Sequence, residues 1–328
     1  MKCKKCGGTA VINMRQHKLG LCAEHFLEWV PEQTQRFIEK YDMFGRDARI
    51  LVAVSGGKDS LSLWDILLRL GYQADGMYIG LGIDGGVDYS NESHRMIDRF
   101  VARRAAEGQP LNLHAVDVAK LYGATIPETA AISNRGRGKP CSVCGVIKRY
   151  IMNRVAYDHG YDVIATGHNL DDEAAVLFGN TLHWQAGYLA RQAPVLPADQ
   201  AGLARKVKPL CRFYEREMAA YALVRGIEYI YDECPYAEGS TSIYYKSVLN
   251  KLEEDRPGAK LQFYLQFLEA RQAGLFQAAH DAEARELHPC SRCGQPTSAP
   301  DTCTFCRMWD RVAEYKAAGK ELKPLSIR

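Results

Sequence analysis

No stretch of this chain is apolar for the roughly 20 residues that a membrane-spanning helix needs. Its first residues, MKCKKCGG, lack the apolar core of a secretory leader, so the expected compartment is the cytoplasm, with no membrane partner. Charge of either sign is scarce in excess. Lys and Arg number 42 against 39 Asp and Glu, a formal +3, so any surface for a polyanion must be local rather than global. The Walker phosphate loop is absent too, because only Ser55, Gly56 and Gly57 precede Lys58 in the chain's glycine turn. Cysteine, by contrast, is abundant. Eleven cysteines in a chain expected in a reducing compartment argue against disulfides and for metal or redox chemistry.

The chain is organised around Ile50 to Ser60, ILVAVSGGKDS. Ile50 to Val54 is a continuous, β-branched apolar run, as in a strand buried on both faces of a parallel sheet. Ser55, Gly56 and Gly57 make a tight turn, and Lys58, Asp59 and Ser60 open a helical pattern through Leu61, Trp64 and Leu68. A strand, a glycine turn and a helix N-terminus together form an anion cradle, since free N–H groups and the helix dipole both favour negative charge. A bare turn without a ligand is the plainer alternative. The polar and glycine positions instead match the pyrophosphatase loop, SGGxDS, of enzymes that cut ATP between its α and β phosphates.

Two cysteine-rich modules flank this region. Cys3, Cys6, Cys22 and His25 form paired knuckles suited to one tetrahedral Zn²⁺, and Cys290, Cys293, Cys303 and Cys306 have four-thiolate ribbon spacing. Four protein ligands leave no open position, so both zincs are expected to be structural. The organisation read from the chain is an N-terminal zinc finger over 1–26, a linking helix over 27–48 broken or restarted at Pro31, and a nucleotide-binding domain over 49–273. A zinc ribbon over 286–310 and a basic, exposed tail over 311–328 complete it. Within the central domain the pattern predicts strands over Ala74–Leu81, Leu111–Val118, Asp162–Thr166, Val207–Leu210 and Tyr229–Tyr231. Helices are expected over Tyr89–Glu107, from Cys141, from the acidic turn Gly167–Glu173, and over Tyr214–Arg225, Ser242–Glu254 and Gly258–Ala273. Gly187 to Lys206 reads as a mobile loop. The basic stretch Ile132–Pro140 reads equally as a solvated loop or a contact to RNA phosphates.

Cys141, Cys144 and Cys234 remain. Three thiols are too few for a closed zinc site, but they suit an iron–sulfur cluster with one iron left without a protein ligand. A redox Cys-x2-Cys pair, or a persulfide on Cys141 or Cys234, are the competing readings. Cys211, outside these patterns, is expected to be a small buried hydrophobe. Lys148 lies one helical turn after Cys144 and so shares its face.

Taken in order, SGGKDS, Cys141-x2-Cys144-Gly145 with Lys148-Arg149, ATGHNLDDEA, Glu233-Cys234-Pro235 and the two zinc modules closely resemble TtuA-type tRNA 2-thiolation enzymes. That group contains the tRNA 5-methyluridine 2-sulfurtransferases, and the match covers nearly the full length. The resemblance implies an α/β fold of the adenine-nucleotide alpha-hydrolase (PP-loop) kind, with ATP held by Ala53, Ser55, Gly56, Gly57, Lys58, Asp59, Ser60, Ile79 and Gly167, and with Mg²⁺. It also implies a 4Fe–4S cluster on Cys141, Cys144 and Cys234, and catalysis by Lys148 and Asp172. The implied reaction is thiolation of the 5-methyluridine at position 54 of the tRNA T-loop. Sulfur would come from the C-terminal thiocarboxylate of a ubiquitin-like carrier, and the enzyme would be a homodimer. Rival functions are thiolation of cytidine or wobble uridine, a non-thiolating ligase on the same loop, and a non-catalytic zinc protein that binds RNA.

Overall fold

The computed structural model describes residues 1–133, 135, 140–198, 200, 202–282 and 286–325. Most of the basic stretch before Cys141, residues 134 and 136–139, therefore lies outside the described residues, and with it the expected RNA contact there.

The N-terminal module is a small hairpin, β1 (Ile12–Met14) and β2 (Leu19–Leu21), paired antiparallel with Ile12 opposite Leu21. From Cys22 the chain enters α1 (Ala23–Lys40), which runs unbroken through Pro31, contrary to the expected break. A proline inside a helix costs about 3 kcal/mol and one backbone hydrogen bond. Here Phe26, Val30, Pro31, Thr34 and Ile38 form one buried stripe, so packing outweighs that cost, and the Thr34 hydroxyl donates to the Val30 carbonyl at 2.9 Å.

The central domain follows as β3 (Arg49–Ala53), α2 (Lys58–Arg69), β4 (Gln73–Gly80), α3 (Tyr89–Ala106), β5 (Leu113–Asp117) and α4 (Val118–Tyr122). Next come α5 (Ile126–Ile132), α6 (Cys141–Asp158), β6 (Val163–Thr166), α7 (Leu170–Leu182), α8 (Ala186–Arg191), β7 (Val195–Leu196) and β8 (Arg205–Val207). It ends with α9 (Glu215–Arg225), α10 (Thr241–Asp255), α11 (Ala259–Gln272) and α12 (Gln277–Ala282). The ribbon is β9 (His288–Pro289) and β10 (Pro296–Thr297), continued by α13 (Thr304–Ala317). No helix among the described residues is long and apolar enough to cross a membrane.

The six-stranded sheet has the order β5-β4-β3-β6-β8-β7, parallel except where β7 runs against β8. Chain order reverses between β3 and β6, and ligands of open α/β sheets bind in the crevice beyond the strand ends at such a point. Alternate residues of β3 face opposite ways: Ile50 and Val52 enter one core and Leu51 the other. The first core also takes in Cys3, Met14 and Leu21 of the finger, and the second takes in Cys290, Phe305 and Trp309 of the ribbon. The two small modules thus extend the two faces of a single sheet.

Three further expectations change. The stretch Gly187–Lys206 is not simply a loop, because α8 covers its first residues and Val195–Leu196 pairs antiparallel with β8 to close the sheet edge. Two residues are too few to show a sequence period. Tyr229–Tyr231 is not a strand; the Ile230 N–H donates to the Gly56 carbonyl at 3.0 Å instead. The segment after Trp309 is not wholly exposed. Val312 is buried, the Leu325 N–H donates to the Pro127 carbonyl at 3.3 Å, and the Leu325 carbonyl accepts from the Tyr236 hydroxyl at 2.7 Å. Cys211 is buried as expected, and burial pushes its thiol up to about 12.

Candidate active site

The turn after β3 is held by its own serines. Ser60 Oγ accepts from the Ser55 N–H at 3.1 Å and donates to the Gly57 carbonyl at 3.0 Å, which bends Ser55–Gly57 over the first turn of α2. Gly56 has φ +78°, and a Cβ there would lie 2.4 Å from the Ser93 carbonyl oxygen, so glycine is required twice over. Gly167, at the end of β6, packs so closely that an added Cβ would meet the Ser60 nitrogen at 2.9 Å. The two strand-to-helix turns are therefore in contact.

Asn169 caps α7 by accepting from the Asp172 N–H at 3.1 Å, while Asp172 accepts from the Asn169 N–H at 3.1 Å. The Asn169 amide also donates to Asp59 at 3.1 Å, tying the second turn to the first. Burial raises Asp59 above its ordinary value, and the nearby Asp172 charge adds to this against the pull of Lys58.

Two residues of this cluster were not anticipated. Glu215, at the start of α9, accepts from Lys58 Nζ at 2.7 Å, and Lys246 of α10 lies 2.6 Å from Asp172 and 3.2 Å from Glu215. Lys58 also pairs with Asp59 at 3.1 Å. No local motif announces Glu215 or Lys246, since each is an ordinary charged residue on an ordinary helix.

Beside the loop lies a cavity of about 110 Å³ lined by Ala53, Ser55, Ile79, Tyr89, Ser93 and Lys148. Its lining is mostly apolar, as the flat base of a nucleotide requires. Lys148 joins it to the cysteines: burial pushes the Cys144 thiol up, while the Lys148 ammonium beside it pulls the other way. Tyr89, which also lines the cavity, feels the same thiols. Burial raises its hydroxyl, and the nearby Cys234 and Cys144 raise it further. Cys141 opens α6, exposed, with Sγ 3.9 Å from the Tyr236 carbonyl, and Cys234 is raised by burial and by the charges of Cys144 and Cys141. Two residues that line the cavity, Lys148 and Tyr89, thus lie within electrostatic reach of these thiols.

The terminal cysteines are gathered more tightly. Zn–S bonds of about 2.3 Å place the ligands of a tetrahedral ion about 3.8 Å apart. In the finger, Cys6 Sγ is 3.8 Å from Cys22 Sγ, and His25 Nδ1 is 3.6 Å from Cys3 Sγ and 3.2 Å from Cys22 Sγ. In the ribbon, Cys293–Cys303 is 3.8 Å and Cys290–Cys306 is 4.0 Å. In each set all four ligand atoms lie within 4.8 Å of one another; Cys141, Cys144 and Cys234 form no such set among the described residues. The first two sets have the dimensions of a single ion. Burial opposes ionisation of Cys3 and Cys290, yet backbone N–H donors of each knuckle outweigh it and bring both thiols to about 6, favouring the thiolate that a metal takes. Because finger residues Cys3, Met14 and Leu21 lie in the same core as α9, Cys22→Ser is expected to release one zinc and lower the melting temperature. Metal analysis with thermal denaturation checks this.

Residues 2–27 match the family model described as the 2-thiouridine synthetase TtuA N-terminal LIM domain, and residues 28–239 match the PP-loop domain. The chain is 49% identical over 320 residues to the tRNA-5-methyluridine(54) 2-sulfurtransferase of Thermus thermophilus, covering 98% of this chain and 94% of the relative. It belongs to the TtuA-type tRNA 2-thiolation family. The enzyme of the same description from Thermotoga maritima is 43% identical, with 96% and 98% covered. The U34-tRNA thiolase NcsA from Methanococcus maripaludis, solved with its 4Fe–4S cluster, superposes with a TM-score of 0.70 at 24% identity. It covers 83% of this TtuA-type chain and 88% of its own, and at that identity it speaks for the fold.

Proposed function

We propose that this sulfurtransferase adenylates the C2 oxygen of the 5-methyluridine at position 54 of the tRNA T-loop and replaces that oxygen with sulfur. The observation that carries this reading is a single lysine: Lys148 lines the nucleotide cavity, and its ammonium is near enough to the Cys144 thiol to oppose the rise that burial causes there.

The C2 oxygen of a uracil is a poor leaving group. Its attack on the α-phosphate of ATP makes it a phosphate ester and expels pyrophosphate, and displacement by a sulfur nucleophile then releases AMP. Ser55–Ser60 would cradle the pyrophosphate through backbone N–H groups, with Lys58 offsetting its growing charge. Gly167 brings the second turn against that loop, and Ala53 and Ile79 wall the base. Lys148 would neutralise the adenylated oxygen, and Asp172, fixed by the Asn169 cap, would accept a proton. Asp59 and Asp172 offer the hard oxygen donors Mg²⁺ prefers, and the ion would add positive charge at the phosphates. Cys141, Cys144 and Cys234 fit a 4Fe–4S cluster by donor chemistry; such a cluster, when bound, would supply an iron free to hold sulfide. The terminal sets would hold two Zn²⁺. A ubiquitin-like carrier with a C-terminal thiocarboxylate as sulfur source, a homodimeric assembly and a cytoplasmic location follow from the family resemblance.

The test is anaerobic incubation with ATP, sulfide and tRNA carrying 5-methyluridine, followed by mass spectrometry of the nucleosides. The expected product is 2-thio-5-methyluridine with one AMP per turnover, and Lys148→Ala is expected to lower the rate about a hundredfold or more. Thiolated cytidine or wobble uridine in its place would move the target, and AMP formation without any thiolation would support the ligase reading.

A further inference from the structure

The Ser55–Lys58 loop separates two cavities. On one side is the apolar nucleotide cavity, which Ser55 lines. On the other is a wider cleft of about 460 Å³ onto which Lys58, Glu215, Arg216 and Lys260 open.

There a single carboxylate is shared by two lysines. Glu215 Oε1 is 2.7 Å from Lys58 Nζ, and Oε2 is 3.2 Å from Lys246 Nζ. Burial would raise Glu215, but Lys246 and Lys58 outweigh it and hold the carboxyl below its ordinary value. The three side chains are 20% (Lys58), 35% (Glu215) and 25% (Lys246) exposed, so an anion from solvent can reach them. Lys246 keeps a second anchor in Asp172 at 2.6 Å, which fixes its position if Glu215 is displaced.

We propose that Lys58 and Lys246 are the two sides of a polyphosphate clamp, and that Glu215 occupies it in the nucleotide-free enzyme as a resident, displaceable anion. Pyrophosphate carries more charge and more acceptor oxygens than one carboxylate, so it competes effectively for both ammonium groups. Such an exchange keeps an anion between the two ammonium groups in either state, while Asp59 and Asp172 stay paired with Lys58 and Lys246. The loop lysine comes from the phosphate motif itself; Lys246 arrives from a helix far along the chain and is the new member. The proposal rests on the nucleotide reading of the loop and is independent of which base is thiolated.

Titration calorimetry on the full-length, zinc-loaded chain tests it, with inorganic pyrophosphate, a non-hydrolysable ATP analogue and AMP as probes. Lys246→Ala and Lys246→Met are expected to weaken pyrophosphate and the ATP analogue by roughly tenfold to a hundredfold. AMP, which does not reach the clamp, is expected to stay within about twofold, and Lys246→Arg is expected to recover part of the loss. Glu215→Gln, which removes the competing anion, is expected to tighten pyrophosphate. Unchanged pyrophosphate affinity in Lys246→Ala, equal losses for AMP and pyrophosphate, or weaker pyrophosphate binding in Glu215→Gln would each overturn the clamp. Failure of the wild-type chain to bind AMP at all would instead overturn the nucleotide reading beneath it.

Discussion

Serine at Cys141, Cys144 or Cys234 is expected to leave the anaerobically purified protein colourless and unable to thiolate tRNA, whereas the wild-type protein is expected to be brown. The three positions converge from two distant parts of the chain, the start of α6 and the loop before α10: the Cys141 charge raises the Cys144 thiol, and both raise the Cys234 thiol. Burial also raises Cys144 and Cys234, so without a metal the neutral thiols are favoured. A metal centre reverses that preference by binding the thiolates. Cys211→Ala is the matched control: it removes a buried thiol from the other core and is expected to keep the colour. Both zincs are expected to remain in the three serine variants, because the terminal sites share no ligand with them. A colourless wild-type protein that is fully active under anaerobic conditions would rule out the cluster and favour a persulfide on Cys141 or Cys234.

Gly56→Ala is expected to abolish measurable ATP binding and to destabilise the protein, and Gly71→Ala supplies the comparison. The two glycines have almost the same backbone angle, φ +78° and +79°. An alanine in that left-handed region costs about 1–2 kcal/mol. At Gly71 nothing lies within 4 Å of the new Cβ, so that conformational penalty is the whole expected effect. At Gly56 the Cβ would also lie 2.4 Å from the Ser93 carbonyl oxygen and 2.8 Å from the Ser93 Cα, backbone atoms of α3 that cannot rotate away. Relief requires the loop or α3 to move, and either shift disturbs the Gly56 carbonyl that accepts from Ile230 and the turn that presents its N–H groups. The total loss of stability is expected to exceed about 3 kcal/mol. Thermal denaturation and nucleotide titration of both variants measure the difference, and equal behaviour of the two would show that contact with Ser93 is unimportant.

Much of the site was legible because its chemistry is written in short windows. Ile50–Ser60 announces a buried strand, a left-handed turn and a helix start within eleven residues, and each has a local cause. The gathering of the two terminal four-ligand sets was legible for the same reason, since Cys-x2-Cys and Cys-x2-His each supply half of a tetrahedral site. Lys148 could be placed beside Cys144 from helical spacing alone, and the structure puts its ammonium there. Edge strand β7 was not legible, being two residues long and defined only by its partner. The path of α1 through Pro31 is not legible locally, because propensity favours a break there while the buried stripe on the finished core keeps the helix continuous.

The phosphate loop and the close gathering of the two terminal four-ligand sets can be read from short windows of residues, because backbone angles and ligand spacing are properties of chain neighbours. The placement of the finger and the ribbon on opposite faces of one sheet, and the meeting of Lys58, Glu215, Lys246 and Asp172, come from the folded chain alone. Those arrangements depend on strand order and helix docking across long connections, and no short window of residues contains that information.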